Sequence, residues 1–461
     1  MSVSTDDRGQ WGSKFGFIMA AAGSAVGLGN IWRFPYITGQ NGGGAFVLVY
    51  IACVLLIGVP LLFTEMGLGR YTKKSTIGAF RDTGANAFWM GIGAILALSV
   101  SFFVLSYYGV IAGWTIGYIF KSLSGTTAGF EAFAANGTAT IGLLGAFMLV
   151  TILIVLGGVS GGIEKASKVL MPVLFFLVFV VAIRSLMLEG AMKGVEFYLK
   201  PDFSKITPNS ILAALGQAFF SMSIGWGIMI TYGSYLPKSS NIVESAVWVG
   251  LMDTGIALLA GFMIFPAVFA FGKSPEAGPT LVFQVLPEIF NSMPGGSIIG
   301  ALFFLLLMVA ALTSSISMLE VPASYFIDEK KWSRKKAAWV VGIAAFLVGV
   351  PSALSSGASD LFTNMSVSLP WTGAIVGFQG IMDYFFGTFF IVVVALATCV
   401  YVAWKLPINI IVNELDQGSP SFKAGNFASK SFVIFIRYVC PTTILLVLLN
   451  MMGLFGIFAG S

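Results

Sequence analysis

The groups best placed to do chemistry in this sequence are backbone amides and carbonyls freed by glycines inside an apolar segment. Ala20-Ala21-Ala22-Gly23-Ser24-Ala25-Val26-Gly27-Leu28-Gly29-Asn30-Ile31-Trp32-Arg33-Phe34-Pro35 starts as an apolar helix and then places glycines, asparagine, arginine and proline where a membrane-crossing helix should continue. Unpaired backbone groups in hydrocarbon cost several kcal/mol each, so such a break is tolerated only where it faces protein, water or a ligand. A second stretch, Gln217-Ala218-Phe219-Phe220-Ser221-Met222-Ser223-Ile224-Gly225-Trp226-Gly227, repeats the pattern in a later apolar run. Asp253 stands isolated among apolar residues, and an intramembrane carboxylate marks an ion or proton path. The chemistry expected is therefore coordination of a cation and a polar solute by oxygens, much of it backbone, at the level of two broken helices.

Other chemistries have little to work with. Histidine is absent, which removes the usual near-neutral proton shuttle and the commonest metal ligand. Cys53, Cys399 and Cys440 lie in apolar runs and read as small hydrophobes. No nucleotide motif and no nucleophile–base pair stands out, so an enzyme is not expected. The net charge of +5 fits basic loops on one membrane face and calls for no nucleic-acid partner.

The elements that must position these residues are transmembrane helices. With 57% hydrophobic and 10% charged residues, the chain cannot cover a soluble fold of 461 residues. Apolar runs long enough to cross a bilayer lie near 13–36, 44–69, 88–121, 141–157, 167–188, 210–235, 242–271, 297–327, 337–353, 374–404 and 432–458. The class predicted is all-α integral membrane with eleven helices. Most Lys and Arg fall on one side when the N-terminus is placed in the cytoplasm, which puts Ser461 outside. The interrupted segments are the first and sixth runs. Breaks at corresponding places in two five-helix halves point to an inverted-repeat transporter with its site at the bilayer midplane. The halves expected are 1–200 and 201–405, followed by a cytoplasmic loop and last helix over 406–461.

These segments resemble the neurotransmitter:sodium symporter family. The resemblance rests on Gly-Ser-Ala-Val-Gly-Leu-Gly-Asn-Ile-Trp-Arg-Phe-Pro-Tyr (23–36), Asn-Gly-Gly-Gly-Ala-Phe (41–46), Gly-Val-Pro (58–60), Glu-Met-Gly-Leu-Gly-Arg (65–70), Phe-Phe-Ser-Met-Ser (219–223) and Thr-Ser-Ser-Ile-Ser (313–317). It implies ten core helices with unwound first and sixth helices. It also implies two sodium sites: the first at Ala25, Asn30, Ser221 and Asp253, completed by the substrate carboxylate, and the second at Gly23, Val26, Ala310, Thr313 and Ser314. The substrate carboxylate would meet Tyr108 and the amides around Leu28 and Gly29. Its amine would meet Ala25, Phe220, Ser221 and Ser223, and its side chain Ser24, Val104, Phe220, Trp226, Ser314 and Met318. Amine-transporting relatives carry aspartate where this chain has Gly27, so the resemblance implies an amino acid. Trp226 narrows the pocket toward a small one, and the flexible Met318 leaves a larger apolar or aromatic one open.

The resemblance further implies an outer gate in which Arg33 pairs with Asp383 above Tyr108 and Phe220. An inner gate would pair Arg8 with Asp328, braced by Tyr235 and Trp11. Glu65 and Glu320 are expected to be structural. Tyr50 and Gln217 are expected to hydrogen-bond to Asp253. Chloride-dependent relatives have serine where this chain has Ala257, and Asp253 supplies a fixed negative charge nearby, so no chloride is expected. The function expected is sodium-coupled symport of a neutral amino acid by alternating access in a bacterial inner membrane. A proton-coupled transporter, a channel and an amino-acid sensor remain alternatives, and the oligomeric state is left open.

Overall fold

In a computed structural model of the chain, the residues described are 9–127, 129–275, 281–371 and 373–454. Arg8 and Ser461 lie outside them. Each apolar run satisfies its backbone internally as a helix, as hydrocarbon demands. Among the described residues, nine helices are long and apolar enough to cross a membrane: Gly44–Thr72, Ala87–Leu123, Gly137–Leu156, Val159–Leu186, Ile242–Ala270, Gly296–Lys330, Arg334–Leu354, Phe378–Lys405 and Phe427–Met451. The pair Lys14–Ala25 and Gly29–Gln40 makes one more span, bent by 49°. Pro208–Ser221 and Ile228–Ser234 are each too short to cross alone, and residues 222–227 separate them. Counting this pair as one broken span completes the expected eleven, numbered below in chain order.

The first span starts at Ser13, whose hydroxyl accepts from the Gly16 amide at 3.0 Å. It stops at Val26, where ψ swings to 105°, and resumes through a π-type turn at Gly29–Arg33. The sixth starts on a Thr207/Ser210 capping box with Pro208 in the first turn. Its break has left-handed backbone at Ser223 (φ 54°), Gly225 (φ 83°) and Gly227 (φ 72°), a conformation no right-handed helix can pass through.

Around the two broken spans stand long straight ones. The third packs along the eighth and the fourth against the ninth, partners five apart in order, as two inverted five-helix halves would pair them. One apolar cluster runs through the interior, while Phe120, Phe176 and Leu347 point outward from their spans. Apolar residues on both the inner and outer faces of the helices are what a lipid-embedded bundle needs.

Three features depart from the sequence expectations. The tenth helix begins at Phe378 and not near 374, because Gly373–Val376 (β2) pairs antiparallel with Ser366–Leu369 (β1) in a hairpin. The loop after the fifth span contains a helix, Ala191–Leu199, held to the seventh by Tyr198, whose hydroxyl donates to the Leu258 carbonyl at 3.1 Å. The loop after the tenth also carries one, Asn409–Asp416. Its Glu414 meets the fully buried Arg70 of the second span at 2.9 Å and also pairs with Lys238. Arg70 additionally donates to the carbonyls of Ser240 and Glu414, so the buried guanidinium is fully partnered.

Candidate functional site

The break in the first span turns Asn30 back on its own loop, where its side-chain oxygen accepts from the Gly27 amide at 3.1 Å. Its amide nitrogen faces Asp253 Oδ1 at 2.7 Å, Ser221 Oγ at 2.9 Å and the Asp253 carbonyl at 3.1 Å. Ser221 closes the first half of the sixth span, and its Oγ lies 2.7 and 2.8 Å from the two carboxylate oxygens of Asp253. Tyr50 donates to Asp253 Oδ2 at 3.1 Å. Asn30 and Asp253 are fully buried. Three of the four residues expected at the first sodium site thus converge directly, and Ala25 lines the cavity alongside. Sequence reasoning placed Gln217 on Asp253 as well. Instead its amide donates at 2.9 Å to the Gly29 carbonyl, which also accepts from the Phe34 amide in the π-type turn.

A second group of oxygens gathers where the first span meets the eighth. Ser314 Oγ lies 3.5 Å from the carbonyls of Gly23 and Val26, 3.2 Å from that of Ser24 and 3.3 Å from that of Ala310. Thr313 Oγ1 sits 2.9 Å from the Ala310 carbonyl. All five residues expected at the second sodium site are therefore neighbours. The oxygens of the two groups are hydroxyls, carbonyls and a single carboxylate, donors suited to a hard cation, and the Asn30 amide nitrogen faces the first group.

Between them lies a cavity of ≈ 20 Å³ lined by Ser24, Ala25, Gly27, Gly29, Tyr108, Phe220, Ser221, Ser223, Trp226, Ser314 and Met318. Its volume holds little more than one water. Tyr108 is fixed over it by the Leu28 amide, which donates to the hydroxyl at 3.2 Å. A Cβ at Gly27 would lie 2.6 Å from Ser314 Oγ and 3.1 Å from the Tyr108 hydroxyl, so a side chain here would have to displace the Ser314 hydroxyl. Val104, expected in the pocket, is buried in the third span and does not line it. Leu28 contributes its backbone, and its side chain lines the space above.

That space is a wider cavity of ≈ 380 Å³, bounded among others by Trp32, Arg33, Tyr107, Gln379 and Asp383 and sharing Gly29, Tyr108 and Phe220 with the smaller one. Tyr108 and Phe220 hence form the floor of one and the roof of the other. Arg33 and Asp383, expected at the outer gate, both line the wider cavity and form no ion pair across it in this conformation. The Arg33 guanidinium stacks 4.7 Å from the centroid of Phe220, and Asp383 accepts from the Tyr107 hydroxyl at 2.8 Å. With the cavity open between them, each charge is served by a nearer neighbour.

The opposite end is closely packed. Trp11 donates its indole N–H to the Tyr232 carbonyl at 3.0 Å and stacks edge-on against Phe17 and Tyr232. Asp328 accepts from the Ser75 amide at 2.6 Å. Tyr235, expected to brace the pair of Arg8 with Asp328, donates to Glu320 at 2.6 Å. Arg334 of the ninth span grips both oxygens of Glu320 at 2.7 and 2.9 Å. Sequence reasoning missed this link, which runs from Tyr235 at the end of the sixth span through Glu320 of the eighth to Arg334 of the ninth. The available signal was Glu320 itself, an acid in an apolar run that needs a cation, with Arg334 opening the next helix. Glu65, expected to be structural, accepts from the Gly225 amide at 2.9 Å and so holds the break in the sixth span.

The sequence profile described as "Sodium:neurotransmitter symporter family" matches residues 8–130 and 128–455. An uncharacterized sodium-dependent transporter of Bacillus subtilis (strain 168), YhdH, is 41% identical over 96% of this chain and 98% of its own length. An uncharacterized sodium-dependent transporter of Haemophilus influenzae is 36% identical over 98% of this chain and 99% of its own. Among solved structures, the crystal structure of MhsT in complex with L-phenylalanine superposes with a TM-score of 0.86 at 40% identity, covering 96% of this chain and all of that one.

Proposed function

Because this chain belongs to the sodium:neurotransmitter symporter family, we propose that it uses an inward sodium gradient to import a neutral amino acid by alternating access. Members of the family are transporters and not enzymes, and the spans make this an integral membrane protein. The observation that carries the proposal is the convergence of Asn30, Ser221 and Asp253 beside a cavity whose Gly27 position brings no carboxylate of its own. A substrate lacking its own carboxylate would find no counter-charge there. An amino acid brings the carboxylate that Tyr108 and the first sodium call for.

Two sodium ions are assigned, one with Ala25, Asn30, Ser221 and Asp253, the other with Gly23, Val26, Ala310, Thr313 and Ser314. Each gains ~2.3 kcal/mol per 100 mV and about 1.4 kcal/mol per tenfold gradient, enough together to concentrate a zwitterion about 10⁵-fold. The buried Asp253 carboxylate supplies the fixed negative charge that would otherwise call for chloride, so transport is chloride-independent. Residues 1–200 and 201–405 form the inverted halves, the N-terminus lies in the cytoplasm of a bacterial inner membrane, and Arg33 faces outside. Arg33 and Asp383 close the outer path, and Arg8 and Asp328 the inner.

The narrow cavity and Trp226 favour a small substrate. The L-phenylalanine in the MhsT complex favours a larger apolar one, which the flexible Met318 would accommodate. Uptake into proteoliposomes, with sodium replaced by choline and chloride by gluconate in separate arms, tests both readings against a panel of the twenty amino acids. Loss of uptake without sodium and full uptake without chloride are expected. Uptake that persists in choline overturns sodium coupling.

A further inference from the structure

Inside the central cavity two hydrogen-bond donors are poorly used. Trp226 lines the cavity and lies edge-on to Phe220, with ring centroids 5.7 Å apart. Its indole N–H is wholly buried and meets no acceptor among the described residues. The second donor is Ser24. Ser317 Oγ lies 2.8 Å from Ser24 Oγ and also 2.8 Å from the Ser314 carbonyl. With Ser317 donating to Ser24, the Ser24 hydrogen has only Ser223 Oγ to meet, at 3.3 Å, long for a bond between hydroxyls. Ser223 spends its own hydrogen on the Ser24 carbonyl at 3.0 Å. It holds that place with φ at 54°, a strained backbone of the kind that clusters at ligand sites.

Two donors, an indole N–H and a hydroxyl, thus border a small cavity. A purely apolar side chain entering it would leave both facing hydrocarbon, which is costly. One oxygen with two lone pairs would satisfy both. The geometry points to a β-hydroxy amino acid, serine or threonine, as the substrate, with Trp226 and Ser24 as the residues that select its hydroxyl. A side-chain amide also offers an acceptor, but it brings two further donors that need partners in a space already crowded by Met318 and Trp226. This inference rests on the amino-acid symport reading and narrows it.

Threonine and valine are near-isosteres that differ by the hydroxyl, so their ratio isolates the hydrogen bonds from size. In proteoliposomes holding the full chain, sodium-driven uptake of labelled L-threonine, L-serine, L-valine and L-asparagine is compared for wild type, Trp226→Phe and Ser24→Ala. Wild type is expected to favour threonine over valine by about 10- to 100-fold in kcat/KM. The threonine-to-valine ratio should fall at least about tenfold in Trp226→Phe, which keeps a ring but loses the N–H, and should fall also in Ser24→Ala. Sodium-dependent uptake in which valine or asparagine equals or exceeds threonine overturns the inference and leaves symport standing. A threonine preference that survives in Trp226→Phe removes Trp226 from the assignment. The wild-type ratio decides the substrate class even where a variant does not insert. Absence of sodium-dependent uptake of any of the twenty amino acids overturns both readings.

Discussion

Asp253 receives Tyr50 on one side and Ser221 and Asn30 on the other, so its charge is held by donors from the first, second and sixth spans. A carboxylate so buried is tolerable only with such support, and the sodium ion proposed here would add to it. Asp253→Ala removes the one full negative charge of this cluster. The half-saturating sodium concentration for uptake should rise at least about tenfold, or roughly 1.4 kcal/mol, which a sodium titration of initial rates would measure. Gly27 is the complementary case, a position defined by what cannot be there. With Ser314 Oγ 2.6 Å and Tyr108 Oη 3.1 Å from its missing Cβ, Gly27→Ala must push apart residues assigned to an ion and to the substrate. Uptake should fall more than about tenfold, in line with small displacements costing far more than their size suggests, while the amount of inserted protein is unchanged on a blot. Both residues could be picked out in the sequence because each breaks a local rule, a charge in an apolar run and glycines in a helix.

At the level of the element, the break in the sixth span is held by few contacts. Glu65 accepts from the Gly225 amide at 2.9 Å, and Gly225 has φ at 83°, with its missing Cβ facing the Ile391 carbonyl of the tenth span. Gly225→Ala therefore meets both an unfavourable backbone and a carbonyl. A destabilisation above about 1–2 kcal/mol follows from the backbone alone. It should appear as a lower apparent Tm of the detergent-solubilised protein, and an unchanged melting curve would count against this account of the break. That the sixth run is interrupted was legible from Ser221, Ser223, Gly225 and Gly227. Which amides and carbonyls are freed was not, because that depends on Glu65 and Gln217 arriving from other parts of the chain.

For the molecule as a whole, the wider cavity lies above the central one on the Arg33 side, and the end toward Asp328 is closely packed. That packing includes Tyr235 on Glu320 and Glu320 on Arg334. Further out at the same end, Arg70 and Glu414 tie the helix Asn409–Asp416 to the second span. Removing one partner of a buried ion pair strands the other at a cost of about 3–5 kcal/mol. Glu414→Ala should accordingly lower the melting temperature markedly, and Glu414→Gln less, as read by thermal unfolding in detergent. Equal melting of wild type and Glu414→Ala would show the cluster to be energetically idle.

The sequence by itself determined that this is a polytopic helical membrane protein and that its first and sixth spans are interrupted, whereas the residues expected around Asp253, Thr313 and Ser314 were implied by the family resemblance. It could do so because bilayer thickness, helix rise and the cost of bare backbone in hydrocarbon are local constraints that leave their mark along the chain. Tertiary structure alone decided that Tyr235 meets Glu320, that Gln217 serves Gly29, that Asp383 bonds Tyr107 while Arg33 lies over Phe220, and that a hairpin precedes the tenth span. Those outcomes turn on which of several polar groups within reach comes closest, and that distance is set by the packing of helices far apart in sequence.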